Sequence, residues 1–163
     1  MAARHARPCG RKHHTGLPAP TVNNATICAG ETATLTATGG GTYSWDDATT
    51  ANPRTVSPST TTSYTVVVTN GSAVTTLTAT VTVNMLPTAS ISGTTTIFAG
   101  QSTTLTAGTG TSYAWDDATT ANPRTVTPSV SGVYTVTVTN AVACTASTTV
   151  QVTVNQLGSV APR

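Results

Sequence analysis

Two acidic pairs, Asp46 with Asp47 and Asp116 with Asp117, are the densest chemistry in this chain; each follows a tryptophan and precedes an arginine, Arg54 or Arg124. Adjacent carboxylates suit calcium, as on many extracellular rods, but the ion takes about six or more oxygens and two neighbouring acids supply too few. Asp46, Asp47, Asp116 and Asp117 are therefore candidate calcium ligands only if other oxygens join them. A plainer reading sets Asp47 against Arg54 and Asp117 against Arg124 across a hairpin loop. An exposed pair of that kind contributes less than about 1 kcal/mol. A third reading makes the loop a contact surface presented twice per molecule.

Other reactive side chains are scarce. His5, His13 and His14 all lie in the first twenty residues, as does Cys9; the remaining cysteines are Cys28 and Cys144. With no histidine beyond the tail, Ser/His and Cys/His nucleophile arrangements have no base. The acidic pairs lack neighbours that would push their pKa values apart. No glycine-rich phosphate cradle opens a helix, because no helix is expected. The tail histidines and Cys9 are of ligand type, but their spacing fits no compact metal site. The expectation is no catalytic residue, no enzyme and no cofactor, calcium being the one candidate.

Charge narrows the partners further. Charged residues make up 7% of the chain, and the net charge of +2 comes from Arg4, Arg7, Arg11 and Lys12 in the tail. From Thr21 onward three arginines face five acids, so the body offers no basic face to nucleic acid. The tail has no apolar core of a signal peptide, and no run is long and apolar enough to insert in a membrane. Export is still expected, so the native start lies elsewhere or the chain is a fragment or an engineered form.

The elements that must position these residues occur twice. YSWDDATTANPRTVSPSTTTSYTVVVTN at 43–70 returns as YAWDDATTANPRTVTPSVSGVYTVTVTN at 113–140, an offset of 70 residues. Within each copy the apolar residues alternate: Ala33, Leu35 and Ala37; Tyr43 and Trp45; Tyr64, Val66 and Val68; Leu77, Ala79, Val81 and Val83. That period of two predicts half-buried strands. Thr supplies about a quarter of the chain. Its β-branch favours the pleat and its hydroxyl hydrates the outer face. Gly39–Gly41, Asn70 with Gly71, and Gly108–Gly110 punctuate the strands as turns.

About six or seven short strands per repeat, with a tryptophan in the third, predict an all-β chain of two tandem immunoglobulin-like β-sandwich domains. Trp45, Trp115, Tyr64 and Tyr134 are the expected core anchors. Leu-Pro signals set the boundaries: a basic, flexible tail at 1–17, repeat 1 at 18–86, repeat 2 at 87–157 and a C-terminal tail at 158–163. Short proline-containing joins favour an end-to-end rod.

TICAGETATLTATGG, Trp45, TVSPSTTTSYTVVVTN and TVTVN resemble, in order, the Ig-like (PKD-like) repeats of large secreted and cell-surface proteins of gliding-type bacteria. The resemblance spans residues 18–157 and implies stalks, spacers and adhesive modules, located outside the cell or on its surface. It also implies a cysteine pair within each repeat, one in the ICAG segment and one after the VTN turn. Here repeat 1 keeps Cys28 but has Ala73 and Val74 at the later place, and repeat 2 keeps Cys144 but has Phe98 at the earlier one.

Three outcomes stay open for these half-bridges. Both thiols are unpaired; or Cys28 of one molecule bonds Cys144 of the next, giving a head-to-tail polymer; or the two bond within one chain, which requires the repeats to fold back on each other. An exposed free thiol is unusual in an oxidising compartment, which favours pairing.

The leading function is therefore a non-catalytic extracellular structural or adhesive segment. The alternative is a filament subunit that self-associates, and a third is a carbohydrate-binding module. Its partners are other copies of itself or neighbouring repeats of a larger surface protein, with no nucleic acid and no membrane insertion. Glycan decoration is a further expectation at Asn24-Ala25-Thr26, Asn70-Gly71-Ser72 and the threonine rows.

Overall fold

A computed structural model describes residues 18–156. The basic tail with its histidines and Cys9, and the closing segment from Leu157, lie outside the described residues. The first copy of the repeat contributes β1 (Ala25–Cys28), β2 (Ala33–Leu35), β3 (Thr42–Trp45), β4 (Arg54–Val56), β5 (Thr62–Asn70) and β6 (Ala73–Asn84). The second contributes β7 (Ile91–Ser92), β8 (Thr96–Phe98), β9 (Thr103–Ala107), β10 (Ser112–Trp115), β11 (Arg124–Val126), β12 (Gly132–Thr139) and β13 (Thr145–Asn155). No helix occurs among the described residues, so the chain is all-β.

The strands form a four-stranded sheet, β1-β6-β5-β3, with a two-stranded β2-β4, and a four-stranded β10-β12-β13-β8 with a three-stranded β11-β9-β7. An isolated bridge between Val22 and Ala37 stands where β7 pairs with β9 in the second copy. Two compact units result: one takes residues 18–25, 34–56 and 63–80, the other 26–33, 57–62 and 81–156.

Alternation explains why each strand sits where it does. On β9, Thr103, Leu105 and Ala107 point inward while Thr104 and Thr106 face solvent. The buried Thr103 hydroxyl donates to the Thr94 carbonyl at 2.7 Å, so its burial leaves no polar atom unpaired. In the second unit Ile97, Leu105, Ala107, Trp115, Val126, Val136, Val138, Val152 and Val154 form one core cluster drawn from both sheets. Two sheets closing on a shared apolar layer make an immunoglobulin-like sandwich. In the first unit Leu35, Ala37, Trp45, Val56, Val66, Val68 and Ala79 are buried. The register of β3 on β5 places Trp45 opposite Val66, and β10 on β12 repeats this with Trp115 opposite Val136.

Leu105 is fully buried, whereas Gln151 faces out on β13. Leu105→Ala is expected to lower stability by about 2–5 kcal/mol in urea unfolding. Gln151→Ala is expected to stay within about 0.5 kcal/mol.

Candidate functional site

The segment from each tryptophan to the next arginine is built the same way in both copies. Trp45 is 3% exposed and its indole Nε1 donates to the Ala51 carbonyl at 2.9 Å. The chain then turns tightly: Trp45 N–H donates to Thr49 O, Ala48 N–H donates to Trp45 O, and Ala48 adopts φ 63°. That left-handed position is costly for a residue with a Cβ, so its surroundings must hold it. Thr49 supplies part of the hold, its hydroxyl and N–H donating to Asp47 Oδ1 at 2.7 and 3.0 Å. Asn52 supplies another: its amide donates to Ala37 O at 2.8 Å and accepts the Ala37 N–H at 2.9 Å. The Asn52-Pro53 peptide bond is cis, as is Asn122-Pro123.

Arg54 closes the segment. Its two terminal nitrogens donate to Asp46 Oδ1 at 2.7 Å and Asp47 Oδ2 at 2.8 Å. The guanidinium carbon lies 5.3 Å from the centre of the Trp45 ring and 4.9 Å from that of Tyr64, within cation–π range. Arg124 repeats this with Asp116 and Asp117, both at 2.7 Å, and with Trp115 and Tyr134 at 5.4 and 5.2 Å. Trp115 Nε1 donates to Ala121 O, and Asn122 holds Ala107 as Asn52 holds Ala37.

The carboxyls of Asp47 and Asp117 are held below the ordinary aspartate value. The hydroxyl of Thr49 or Thr119 is the main cause and the same residue's N–H the next; desolvation opposes them, and the arginine charge adds a smaller lowering.

Asp46, Asp47, Asp116 and Asp117 thus stand against guanidinium groups, and no group of three or more His, Cys, Asp or Glu gathers among the described residues. Their oxygens are engaged by the arginine forks and, at Asp47 and Asp117, by Thr49 and Thr119. Trp45 and Trp115 lie in the core, and Tyr64 and Tyr134 lie half-buried against the arginines, so none offers the open stacking face a sugar platform needs. Among the exposed large hydrophobic residues, Phe98 is the one aromatic, at 48%.

Cys28 and Cys144 are each placed by a turn. After β1, Glu31 N–H donates to Cys28 O at 3.0 Å while Glu31 Oε2 accepts the Cys28 N–H at 2.9 Å. Gly30 between them has φ 91°, open to glycine and strained for other residues. Phe98, Gly100 and Gln101 repeat that turn in the second copy. Cys144 follows the turn after β12, where Asn140 Oδ1 accepts the N–H groups of Val142 at 3.1 Å and Cys144 at 3.0 Å.

The two sulfurs are bonded within one chain, across a sequence separation of 116 residues, with their Cα atoms 5.7 Å apart. This corrects the two readings of unpaired thiols and of a cross-link between molecules. Each sulfur has one disulfide valence, and here both are filled within the chain. The intermolecular expectation placed Cys28 in a unit remote from Cys144, yet residues 26–33 belong to the same compact unit as residues 81–156.

Sequence reasoning missed Asn52, Asn122 and Glu31. The only signal for the asparagines was the unchanged ANPR in both copies; for Glu31 it was the parallel between AGE and AGQ. The glycan-pattern asparagines also have structural work: Asn24 Oδ1 accepts the Thr80 N–H at 2.8 Å, and Asn70 Nδ2 donates to Gly39 O at 2.9 Å.

No protein-family model matches this chain. No curated protein matches it either. Among solved structures it is similar to extracellular domains 3–5 of Drosophila OTK, at 16% identity and TM-score 0.46, over 82% of this chain and 60% of that one. It is also similar to an E-to-A variant of titin domains I67–I69, at 18% identity and TM-score 0.39, over 84% and 66% of the two chains. Sidekick-1 immunoglobulin domains 1–4 match at 16% identity and TM-score 0.39, over 83% and 48%. The likeness to bacterial PKD-like repeats therefore stays one of sequence motifs.

Two outcomes follow from the arginine forks. Arg54→Met is expected to cost about 1–3 kcal/mol in chemical unfolding, and Arg54→Lys to recover only part of it, since an ammonium cannot fork onto two carboxylates or stack as a plane. Because the Asp47 and Asp117 values are depressed, their contribution is complete above the unfolded aspartate value of about 3.9 and is lost as pH falls through the folded value. Thermal melts are expected to hold steady from pH 7 to about 5 and to drop below about pH 4. A Thr49→Val, Thr119→Val double variant should show a smaller drop.

Proposed function

We propose that the chain is a non-catalytic structural and adhesive segment of an exported protein, built from the Ig-like repeats 18–86 and 87–157. One observation carries this reading: every charged side chain among the described residues is spent on the fold. Arg54 and Arg124 are forked onto Asp46, Asp47, Asp116 and Asp117, and Glu31 closes the Cys28 turn. Acid–base and nucleophilic catalysis need a titratable group left to meet substrate. Residues 18–156 contain no histidine to serve in that role.

The Cys28–Cys144 disulfide supports a location outside the reducing cytosol. No helix among the described residues is long and apolar enough to cross a membrane. The motif resemblance adds the surface of a gliding-type bacterium and suggests neighbouring repeats or further copies as partners. In this reading the threonine-rich outer faces hydrate the segment, while the forks and the bridge keep each repeat folded when the surface is pulled.

Antibodies raised against the purified chain test the location. They are expected to stain unpermeabilised cells of the source organism, or to recover the chain from the medium. Signal seen only after permeabilisation would contradict the proposal.

A further inference from the structure

The Cys28–Cys144 bridge encloses residues 29–143, one fewer than its 116-residue separation. That stretch holds both arginine forks and most of both repeats. A covalent bond sets the shortest load path. Tension applied on the chain before Cys28 and after Cys144 runs through the two sulfurs and bypasses everything between them. At about 3.5 Å per extended residue, the bypassed length is roughly 400 Å.

The two sulfurs are unequally placed for attack. Cys144 is 1% exposed. Cys28 is half-buried and lines an open groove of about 300 Å³ with Gly30, Glu31, Leu86 and Thr145. Thiol–disulfide exchange needs access to the sulfur that is attacked, and Cys28 is the more exposed of the two residues. Glu31 stands at this point, its carboxylate bonded to the Cys28 N–H at 2.9 Å. A negative charge there repels an anionic thiol at close range.

We propose that the Cys28–Cys144 bridge is a thiol-exchange site that gates the extensible length of the chain, opened at Cys28 by thiols carrying no extra negative charge. The thiolate attacks Cys28 Sγ, the S–S bond breaks, and Cys144 leaves as a thiolate that takes a proton from water. A second thiolate attacks the external sulfur of the mixed disulfide, giving the small-molecule disulfide and freeing Cys28. Two thiols are oxidised and one bridge is reduced. The segment 29–143 then enters the load path and extends once its strands yield. This goes beyond the structural and adhesive reading, because it is a property of the isolated chain wherever that chain resides.

Single-molecule pulling tests it on the full chain, with handles at both ends and Cys9→Ser to remove the third thiol. Without thiol, end-to-end length is expected to stay below about 170 Å, the reach of the residues outside the loop; added cysteamine should release roughly 400 Å more. At equal thiolate concentration, the ratio of the cysteamine rate to the 3-mercaptopropionate rate should be at least about threefold higher in wild type than in Glu31→Gln. Glu31→Gln should keep the turn, since Gln101 makes the same hydrogen bond to Phe98 in the second copy. A Cys28→Ser, Cys144→Ser variant should extend fully with no thiol. Full extension of the wild-type bridge without thiol, failure of cysteamine to release it, or the same rate ratio for the two thiols in wild type and Glu31→Gln would each overturn the proposal.

Discussion

Arg54 and Arg124 each meet four partners at once: two aspartates at their nitrogens and two aromatic rings beside the guanidinium plane. The rest of each repeat depends on this meeting because of where the segment runs. It leaves β3 or β10 in a four-stranded sheet and enters β4 or β11 in the smaller one. The crossing must hold its tryptophan in the core and still present a cation to solvent-facing acids. Arg54 and Arg124 do both, with guanidinium groups weakly hydrated enough to lie against rings. Asn52 and Asn122 then tie the crossing to Ala37 and Ala107, so the segment is fixed at its root, its turn and its end.

That arrangement explains why a chain with 7% charged residues keeps WDDATTANPR unchanged in both copies while the sequence before it drifts. The acids, the threonine after them, the asparagine and the arginine are coupled, so altering one strands the others. The bridge works on a longer scale. By chain entropy, closing a loop across a sequence separation of 116 stabilises the fold by about 5 kcal/mol. In domains near the size where a single core is marginal, that is a large share of the total. Among the described residues the charged groups and the two cysteines are engaged in holding the structure, which is the physical basis for the structural reading proposed above.

Much of the fold was legible because alternation is a local signal. Leu35, Val66, Val68, Val136 and Val138 declare the buried face from their neighbours alone, and the second copy repeats the pattern. The site was legible in part. Asp47 and Arg54 stand seven positions apart, close enough to pair across the segment that joins β3 to β4. The participation of Asp46, and the placing of the cation between Trp45 and Tyr64, depend on how the strands come together, which spacing does not encode. The partner of Cys28 was harder still. Sequence repeats assign it to the first copy, whereas contacts place residues 26–33 with the second unit. Disulfide connectivity follows three-dimensional proximity, and no pattern along the chain reports it.

Peptide mapping of the unreduced full-length protein by mass spectrometry tests the central claim most directly. A monomer whose only linked cysteine peptides join Cys28 to Cys144 is the predicted result. Linked peptides confined to dimers and higher multimers, or free thiols at both positions, would contradict it.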